Sequence, residues 1–128
     1  MRLILDTNVL LFALIEPARL AADTVAILEA PENDVYFSAA SIWEISIKSA
    51  LGRADFRVSP REIVDAALAS GFVELAVRSA AAVKVATLPP HHRDPFDRLL
   101  VAQAMTEPAQ LLTTDAALTA YSELVVRV

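Results

Sequence analysis

Four acidic residues stand in apolar or helix-starting contexts, at positions where an α/β domain would bring them together. They are Asp6, Glu44, Asp97 and Asp115. Carboxylates that converge repel one another, and this raises their pKa values unless a cation neutralises them. Carboxylate oxygens are also the ligands that hard divalent cations prefer in proteins. The four positions therefore predict a site for a divalent metal ion.

Two of these acids come directly after short apolar segments. Residues 3–5 form an apolar run that is followed by Asp6, and residues 110–114 (QLLTT) form another strand-like segment that is followed by Asp115. Each run is typical of a short buried strand followed by a helix start. A single aspartate at such a junction could be only a helix cap, but two similar junctions favour a shared site. Ligands of open α/β sheets bind at this carboxyl edge.

The other two acids are expected on helices. Glu44 has large apolar neighbours and is expected to face a cleft, although its spacing from Ser41 and Lys48 also fits a capping box or a surface ion pair. Asp94 and Asp97 share the first turn of one helix, where either would be stabilised by the helix N-terminus. We favour a capping role for Asp94 and metal ligation for Asp97.

Several polar residues could support such a site. Three of them could orient water bound to the metal through hydroxyl or amide groups: Thr7, Asn8 and Thr114. His91 and His92 are adjacent and lack the helical spacing that would aim both at one ion, so a surface loop or a substrate contact is favoured. Arg93 and Arg98 are expected in ion pairs, with a phosphate contact as the alternative.

The composition limits the class of protein. With 128 residues, 55% of them hydrophobic, and two glycines, the chain is expected to form a single folded domain, residues 1–128. Asp6 and Glu16 interrupt the apolar N-terminus, which argues against a membrane span, and a strand at the start leaves no room for a signal peptide. The absence of cysteine excludes disulfides and thiolate metal sites. We therefore expect a cytoplasmic protein.

The formal net charge of −5 argues against a passive nucleic-acid-binding protein, which normally presents a basic surface to phosphates. It does not exclude an enzyme that acts on nucleic acid, because metal ions can bridge carboxylates and phosphate oxygens.

Short apolar strands alternate with helical segments along the whole chain. Strands are predicted at residues 2–5, 35–37, 72–76, 110–114 and 124–126. Helices are predicted at residues 9–15, 19–30, from 38 or 41 to 51, 59–70, 79–86, 94–106 and 116–121. This alternation indicates an α/β fold with a central parallel sheet flanked by helices on both faces.

The order and content of four blocks give the chain a family resemblance. The blocks are residues 5–11 (LDTNVLL), 38–48 (SAASIWEISIK), 92–104 (HRDPFDRLLVAQA) and 113–115 (TTD). Together they resemble the PIN domain, and specifically the VapC-type toxin ribonucleases of bacterial toxin–antitoxin pairs. One departure concerns Asn8, because many relatives with this third block carry histidine there. Asn8 keeps a hydrogen-bonding group but loses a titratable one.

The resemblance implies a function as well as a fold. It implies an endoribonuclease dependent on Mg²⁺ or Mn²⁺, with the metal held by the residues that match the family's four acids, Asp6, Glu44, Asp97 and Asp115. It also implies a VapB-like antitoxin that blocks the site, and a homodimer. The residues themselves indicate no Ser–His or Cys–His nucleophile, so an activated water is expected to attack the phosphodiester.

The residues favour three other functions less strongly. A phosphotransfer receiver module is disfavoured because an acidic pair at Asp6 and a lysine beyond Lys84 are both lacking. A phosphatase of the Asp-x-Asp type is disfavoured because Asn8 occupies the position of its second acid. A catalytically inactive binding or scaffold protein with a PIN fold is the main alternative, although the presence of all four acids favours activity.

Overall fold

The computed structural model describes residues 1–52 and 56–128, which contain five strands and six α-helices. The strands are β1 (Arg2–Leu5), β2 (Asp34–Ser38), β3 (Val73–Leu75), β4 (Gln110–Thr113) and β5 (Val125–Arg127). The helices are α1 (Thr7–Ile15), α2 (Ala22–Glu29), α3 (Ala39–Ala50), α4 (Pro60–Ala69), α5 (Ser79–Val85) and α6 (Pro95–Thr106). In the described ranges, no helix is long and apolar enough to cross a membrane.

The five strands form one parallel sheet in the order β3-β2-β1-β4-β5. The chain first builds outward from β1 through β2 to β3, and it then returns to place β4 on the other side of β1. The strand order therefore reverses between β1 and β4. In doubly wound sheets, such a switch point opens a crevice at the carboxyl ends of the two strands.

The predicted layers are confirmed, because helices cover both faces of the sheet. Alternate residues of β1 point to opposite faces: Leu3 and Leu5 lie in one apolar cluster and Ile4 in the other, and all three are fully buried. The first cluster includes buried residues of α1, α3 and α4, and the second includes residues of α5 and α6. Burial on both faces explains why β1 is an uninterrupted apolar run.

The predicted helix boundaries at α3 and α4 are confirmed by their capping contacts. The hydroxyl of Ser38 accepts a hydrogen bond from the backbone N–H of Ala40 at 3.0 Å, and Ser59 caps α4 in the same manner. Gly52 and Gly71 follow the two helices with φ angles of +66° and +85°. These left-handed conformations favour glycine and end the helices.

One helical prediction is wrong in its extent, and another is wrong in the type of helix. The segment 19–30 does not form one helix, because Pro17–Arg19 form a 3-10 turn, Leu20 is buried in an extended conformation, and α2 begins at Ala22. The segment after β4 is a 3-10 helix, Ala116–Ala120, rather than an α-helix. At both places a leucine is buried in the core: Leu20 lies shortly before α2, and Leu118 lies within the 3-10 helix.

Candidate metal centre

The site forms where β1 and β4 end side by side. The backbone N–H of Asp6 donates to the carbonyl of Leu112 at 3.0 Å, which joins the two strand ends. Asp6 then caps α1, because its Oδ1 accepts from the N–H of Val9 at 2.8 Å. Asp115 likewise caps the following 3-10 helix through Ala117. Each acid therefore uses one oxygen as a cap and keeps the other for the crevice between the strands.

Asp6 is the most deeply placed acid. It is 4% exposed, and its Oδ2 accepts a hydrogen bond from the hydroxyl of Thr113 at 2.5 Å. Burial raises the pKa of Asp6, the hydrogen bonds from Thr113 and Val9 oppose this change, and the charge of Glu44 raises the pKa further. Burial and the nearby carboxylate of Glu44 therefore destabilise the ionised form of Asp6, and a bound cation would stabilise it.

Glu44 is on α3, its charge acts on Asp6, and it is also buried, with 5% exposure. Its Oε1 accepts from the hydroxyl of Thr7 at 2.6 Å, and its Oε2 accepts from Nζ of Lys48 at 2.8 Å. The hydroxyl of Thr7 also lies 3.0 Å from that of Ser41. The ion pair with Lys48 thus exists, but Glu44 is not part of a capping box, because α3 is capped by Ser38.

Asp97 differs from the other acids because, in residues 1–52 and 56–128, its side chain accepts no hydrogen bond. Burial raises its pKa to about 7, and the charges of Asp94, Asp6 and Glu44 act in the same direction, whereas His92 lowers it. In the part of the chain that the structure describes, no lysine or arginine lies within ion-pair distance of Asp97. A bound cation of high charge lowers the pKa of a nearby carboxylate, so a cation would stabilise the ionised form of Asp97.

Asp94 is the cap of α6, as its position predicted. Its Oδ1 accepts from the backbone N–H groups of Phe96 and Asp97, at 2.8 and 3.2 Å. This contact uses one oxygen of Asp94 and directs that carboxylate toward the helix terminus. Its charge still reaches Asp97, whose pKa it raises.

His92 enters the acidic cluster from the loop before α6. Its Nε2 lies 2.8 Å from Oδ2 of Asp115 and 3.8 Å from Oδ2 of Asp97. One ligand atom each from His92, Asp97 and Asp115 lie within 4.8 Å of one another. Asp97 is therefore close to Asp115 and electrostatically linked to Asp6 and Glu44, which makes it the centre of the cluster.

Arg98 supports the loop and does not face the crevice. Its guanidinium donates to the carbonyls of Val85, Leu88 and Pro89 and to the hydroxyl of Tyr121, at 2.9 to 3.3 Å. These contacts occupy both terminal nitrogens. The structure therefore gives Arg98 a structural role where the sequence suggested an ion pair or a phosphate contact.

The donor set fits a hard divalent cation. Asp6, Glu44, Asp97 and Asp115 offer carboxylate oxygens, which suit Mg²⁺ or Mn²⁺. The raised pKa of Asp97, caused by burial and by the neighbouring acids, gives a direct electrostatic reason for a cation at this place. Among the smaller polar residues, Thr7 contacts Glu44, whereas Asn8 is exposed on the first turn of α1.

Sequence reasoning missed two residues of the site. The hydroxyl that contacts Asp6 belongs to Thr113, whereas Thr114 contributes through its backbone, which lowers the pKa of Asp6. His92 was assigned to a surface loop or a substrate contact. The sequence does contain a signal for His92, because it lies only two residues before Asp94, the cap of α6, and therefore close to Asp97.

Comparison with solved structures shows similar folds at low sequence identity. A chain in the crystal structure of VapBC2 from Rickettsia felis bound to a promoter DNA fragment gives a TM-score of 0.74 at 14% identity, covering 100% of this chain and 98% of that chain. VapBC-1 from nontypeable Haemophilus influenzae gives 0.66 at 19%, covering 99% and 98%. FitAcB from Neisseria gonorrhoeae gives 0.55 at 20%, covering 91% and 89%.

A search of curated proteins finds no match. The family model of the PIN domain matches residues 3–124, which include all six α-helices and the carboxyl ends of β1 to β4, whereas β5 lies outside the matched range. This match covers nearly the whole chain and agrees with the parallel sheet and its acidic crevice. The chain therefore belongs to the PIN domain family.

Proposed function

We propose that this protein is a metal-dependent endoribonuclease of the VapC type, the toxin of a toxin–antitoxin pair. The observation that carries the proposal is the position of Asp97, a partly buried carboxylate whose pKa burial and the neighbouring acids raise to about 7. Such an arrangement destabilises the metal-free fold and is difficult to explain by packing. A divalent cation held by the four acids would neutralise it.

The side chains have two roles in such a site. Asp6, Glu44, Asp97 and Asp115 would hold Mg²⁺ or Mn²⁺, and a cation bound there would supply Lewis-acid activation of water and of the phosphodiester. Thr113 and Thr7 fix the carboxylates of Asp6 and Glu44 by hydrogen bonds.

RNA is the substrate we propose, in a single-stranded or looped form whose backbone can enter an open crevice. The formal net charge of −5 repels phosphates, so binding of the RNA backbone must depend on the cation. An enzyme of this type should therefore lose substrate affinity, as well as rate, when the metal is removed.

A small partner protein is the second part of the proposal. Similar folds occur in the structures of VapBC2, VapBC-1 and FitAcB. On α3 and its C-terminal turn, Trp43, Ile47 and Leu51 are 61%, 40% and 65% exposed at a spacing of four residues. Trp43 packs edge-to-face on Phe96 beside the acidic cluster. This stripe fits an apolar helix of a VapB-like antitoxin that also inserts a basic side chain into the cluster.

A homodimer is also proposed, on the basis of the family resemblance. Analytical ultracentrifugation of the purified protein should give the mass of two chains. A monomer at micromolar concentration would contradict this part of the proposal and leave the nuclease proposal intact.

The test of the nuclease uses the purified protein without its partner and a structured RNA that contains single-stranded loops. We expect cleavage with Mg²⁺ or Mn²⁺ and none with EDTA. Asp6→Asn and Asp97→Asn should fold and lose most of the cleavage, because the amide keeps the shape and removes the charge. Asp65→Asn, on the exposed surface of α4, is the matched control. Cleavage that persists in EDTA would refute the metal dependence.

The test of the partner is co-expression with a small protein encoded beside the gene. We expect the partner to suppress both RNA cleavage and growth arrest, and Trp43→Ser to weaken the suppression. If no neighbouring product changes either readout, the antitoxin proposal is wrong. An inactive scaffold, the main rival, predicts stable partner binding with no cleavage under any metal condition.

A further inference from the structure

His92 has a defined proton arrangement, which follows from its two ring nitrogens. Its Nδ1 accepts a hydrogen bond from the backbone N–H of Asp94 at 3.1 Å. A nitrogen that accepts carries no proton, so in the neutral ring the proton is on Nε2. Nε2 then donates to Oδ2 of Asp115 at 2.8 Å.

We propose that His92 is a positioning residue that holds Asp115 in the crevice through its Nε2–H, and that it is not a metal ligand. The inference rests on the proposed nuclease, because it assigns a task within that site. A ligand role would require a bare Nε2 and a proton on Nδ1. That proton would face the N–H of Asp94, and the turn that starts α6 would lose its acceptor.

The backbone of His92 is also held in place by hydrogen bonds. The backbone N–H of His92 donates to the hydroxyl of Tyr121 at 2.9 Å, and the guanidinium of Arg98 donates to the same hydroxyl at 2.9 Å. The loop is therefore attached to α6 through Arg98 and to the segment after β4 through Tyr121. This attachment sets the direction in which the imidazole reaches Asp115.

Asp115 is the acid that most needs such support. Its side chain is 40% exposed, compared with 7% for Glu44. Its Oδ1 is used as the cap of the 3-10 helix, where it accepts from Ala117 at 2.9 Å. Without the donor from His92, the exposed carboxylate can rotate toward solvent, and the crevice loses one of its four acids.

Two substitutions separate the two nitrogens of the ring. His92→Asn keeps an acceptor near the position of Nδ1 and removes the donor to Asp115. His92→Gln keeps a donor near the position of Nε2 and removes the acceptor for Asp94. We expect His92→Asn to lower kcat, or the affinity for Mg²⁺, by about 10- to 100-fold, which is the usual cost of losing such a supporting hydrogen bond. His92→Gln should retain clearly more activity, and the adjacent His91→Gln is the matched control.

Metal preference distinguishes a positioning residue from a ligand. If His92 only positions Asp115, the ratio of activities with Mn²⁺ and Mg²⁺ should be the same in both variants and in the unmodified protein, because imidazole would not contact the ion. A ligand role predicts that both variants lose activity equally and that the Mn²⁺ preference falls, since nitrogen ligands favour Mn²⁺ over Mg²⁺. The second result would overturn the inference.

A second measurement does not depend on activity. Nitrogen-15 NMR of the histidine rings reports which nitrogen carries the proton, and we expect Nε2–H in the metal-free protein and also after addition of Mg²⁺. A proton on Nδ1, or loss of the Nε2 proton on addition of Mg²⁺, would refute the inference. If the unmodified protein cleaves no RNA, the proposed nuclease fails, and the proton position still decides whether His92 donates to Asp115.

Discussion

At the scale of single residues, the acids of the crevice differ in how completely they are compensated. Glu44 has a lysine and a threonine as partners, and Asp6 has a threonine and a backbone amide. Among residues 1–52 and 56–128, Asp97 has no such donor, and burial beside other carboxylates raises its pKa to about 7. The crevice therefore stores unfavourable electrostatic free energy in one side chain, and that side chain should be the most sensitive to a change of charge.

Asp97→Asn should stabilise the metal-free protein at pH 7.5 and abolish RNA cleavage. The amide removes the buried charge and keeps the shape of the side chain. One pKa unit corresponds to about 1.4 kcal/mol, and screening through the partly exposed side reduces the effect, so we expect a gain of about 1 to 3 kcal/mol. Chemical denaturation measures it, with Asp65→Asn as the control. A loss of stability would show that Asp97 has a structural partner in the folded state.

Asp94 gives the opposite pattern, because its oxygen caps α6. Asp94→Asn should be nearly silent, since asparagine is an equally good cap, whereas Asp94→Ala should lower the free energy of unfolding by roughly 0.5 to 2 kcal/mol. Thermal unfolding and RNA cleavage of both variants measure the two effects. A folded but inactive Asp94→Asn together with an active Asp97→Asn would mean that the wrong acid was assigned to the metal.

At the scale of elements, local signals predicted the frame of the site, and long-range contacts decided its details. Ser59, Gly52 and Gly71 mark helix ends by rules that operate within a few residues, and the structure confirms them. The hydrogen bond between Thr113 and Asp6 joins positions 107 apart in the sequence. No local pattern distinguishes Thr113 from Thr114 as its donor, because only the register of β4 against β1 decides which hydroxyl faces the crevice.

Arg98 links α5, the following loop and α6, and its replacement tests the role of that connection. Arg98→Lys should reduce stability by about 1 to 3 kcal/mol, because several carbonyls lose a charged donor that one ammonium cannot replace. Activity should fall with it, since His92 is held by the same network. The exposed Arg93→Lys is the control. Unchanged stability with weaker RNA binding would instead support a phosphate contact for Arg98.

At the scale of the whole molecule, the acidic crevice couples stability to pH and to metal ions. The carboxyl of Asp97 ionises near its ordinary value of 3.8 when the chain is unfolded and near 7 when it is folded. Between these values the folded state binds more protons than the unfolded state, so this group makes the free energy of unfolding fall as pH rises. Asp6, whose pKa is also raised, acts in the same direction.

The metal-free protein should therefore lose part of its thermal stability between about pH 4 and pH 7, and Mg²⁺ should restore it at pH 7.5. At a metal concentration of 100 times Kd, the gain is about 2.7 kcal/mol if only the folded state binds. Melting curves at several pH values, with and without Mg²⁺, measure both effects. Equal stabilisation of Asp97→Asn by Mg²⁺ would contradict the assignment of that acid as a ligand.

The strand order also determines when the site can exist. Asp6 is made long before its neighbour in the sheet, β4 (Gln110–Thr113), and Asp115 follows only after that strand. Chains fold during synthesis as their segments become available. A nascent or prematurely terminated chain that ends before residue 110 therefore carries Asp6, Glu44 and Asp97 without the strand that brings the carboxyl edge together. The sheet thus delays completion of the acidic crevice until residue 115 has been made.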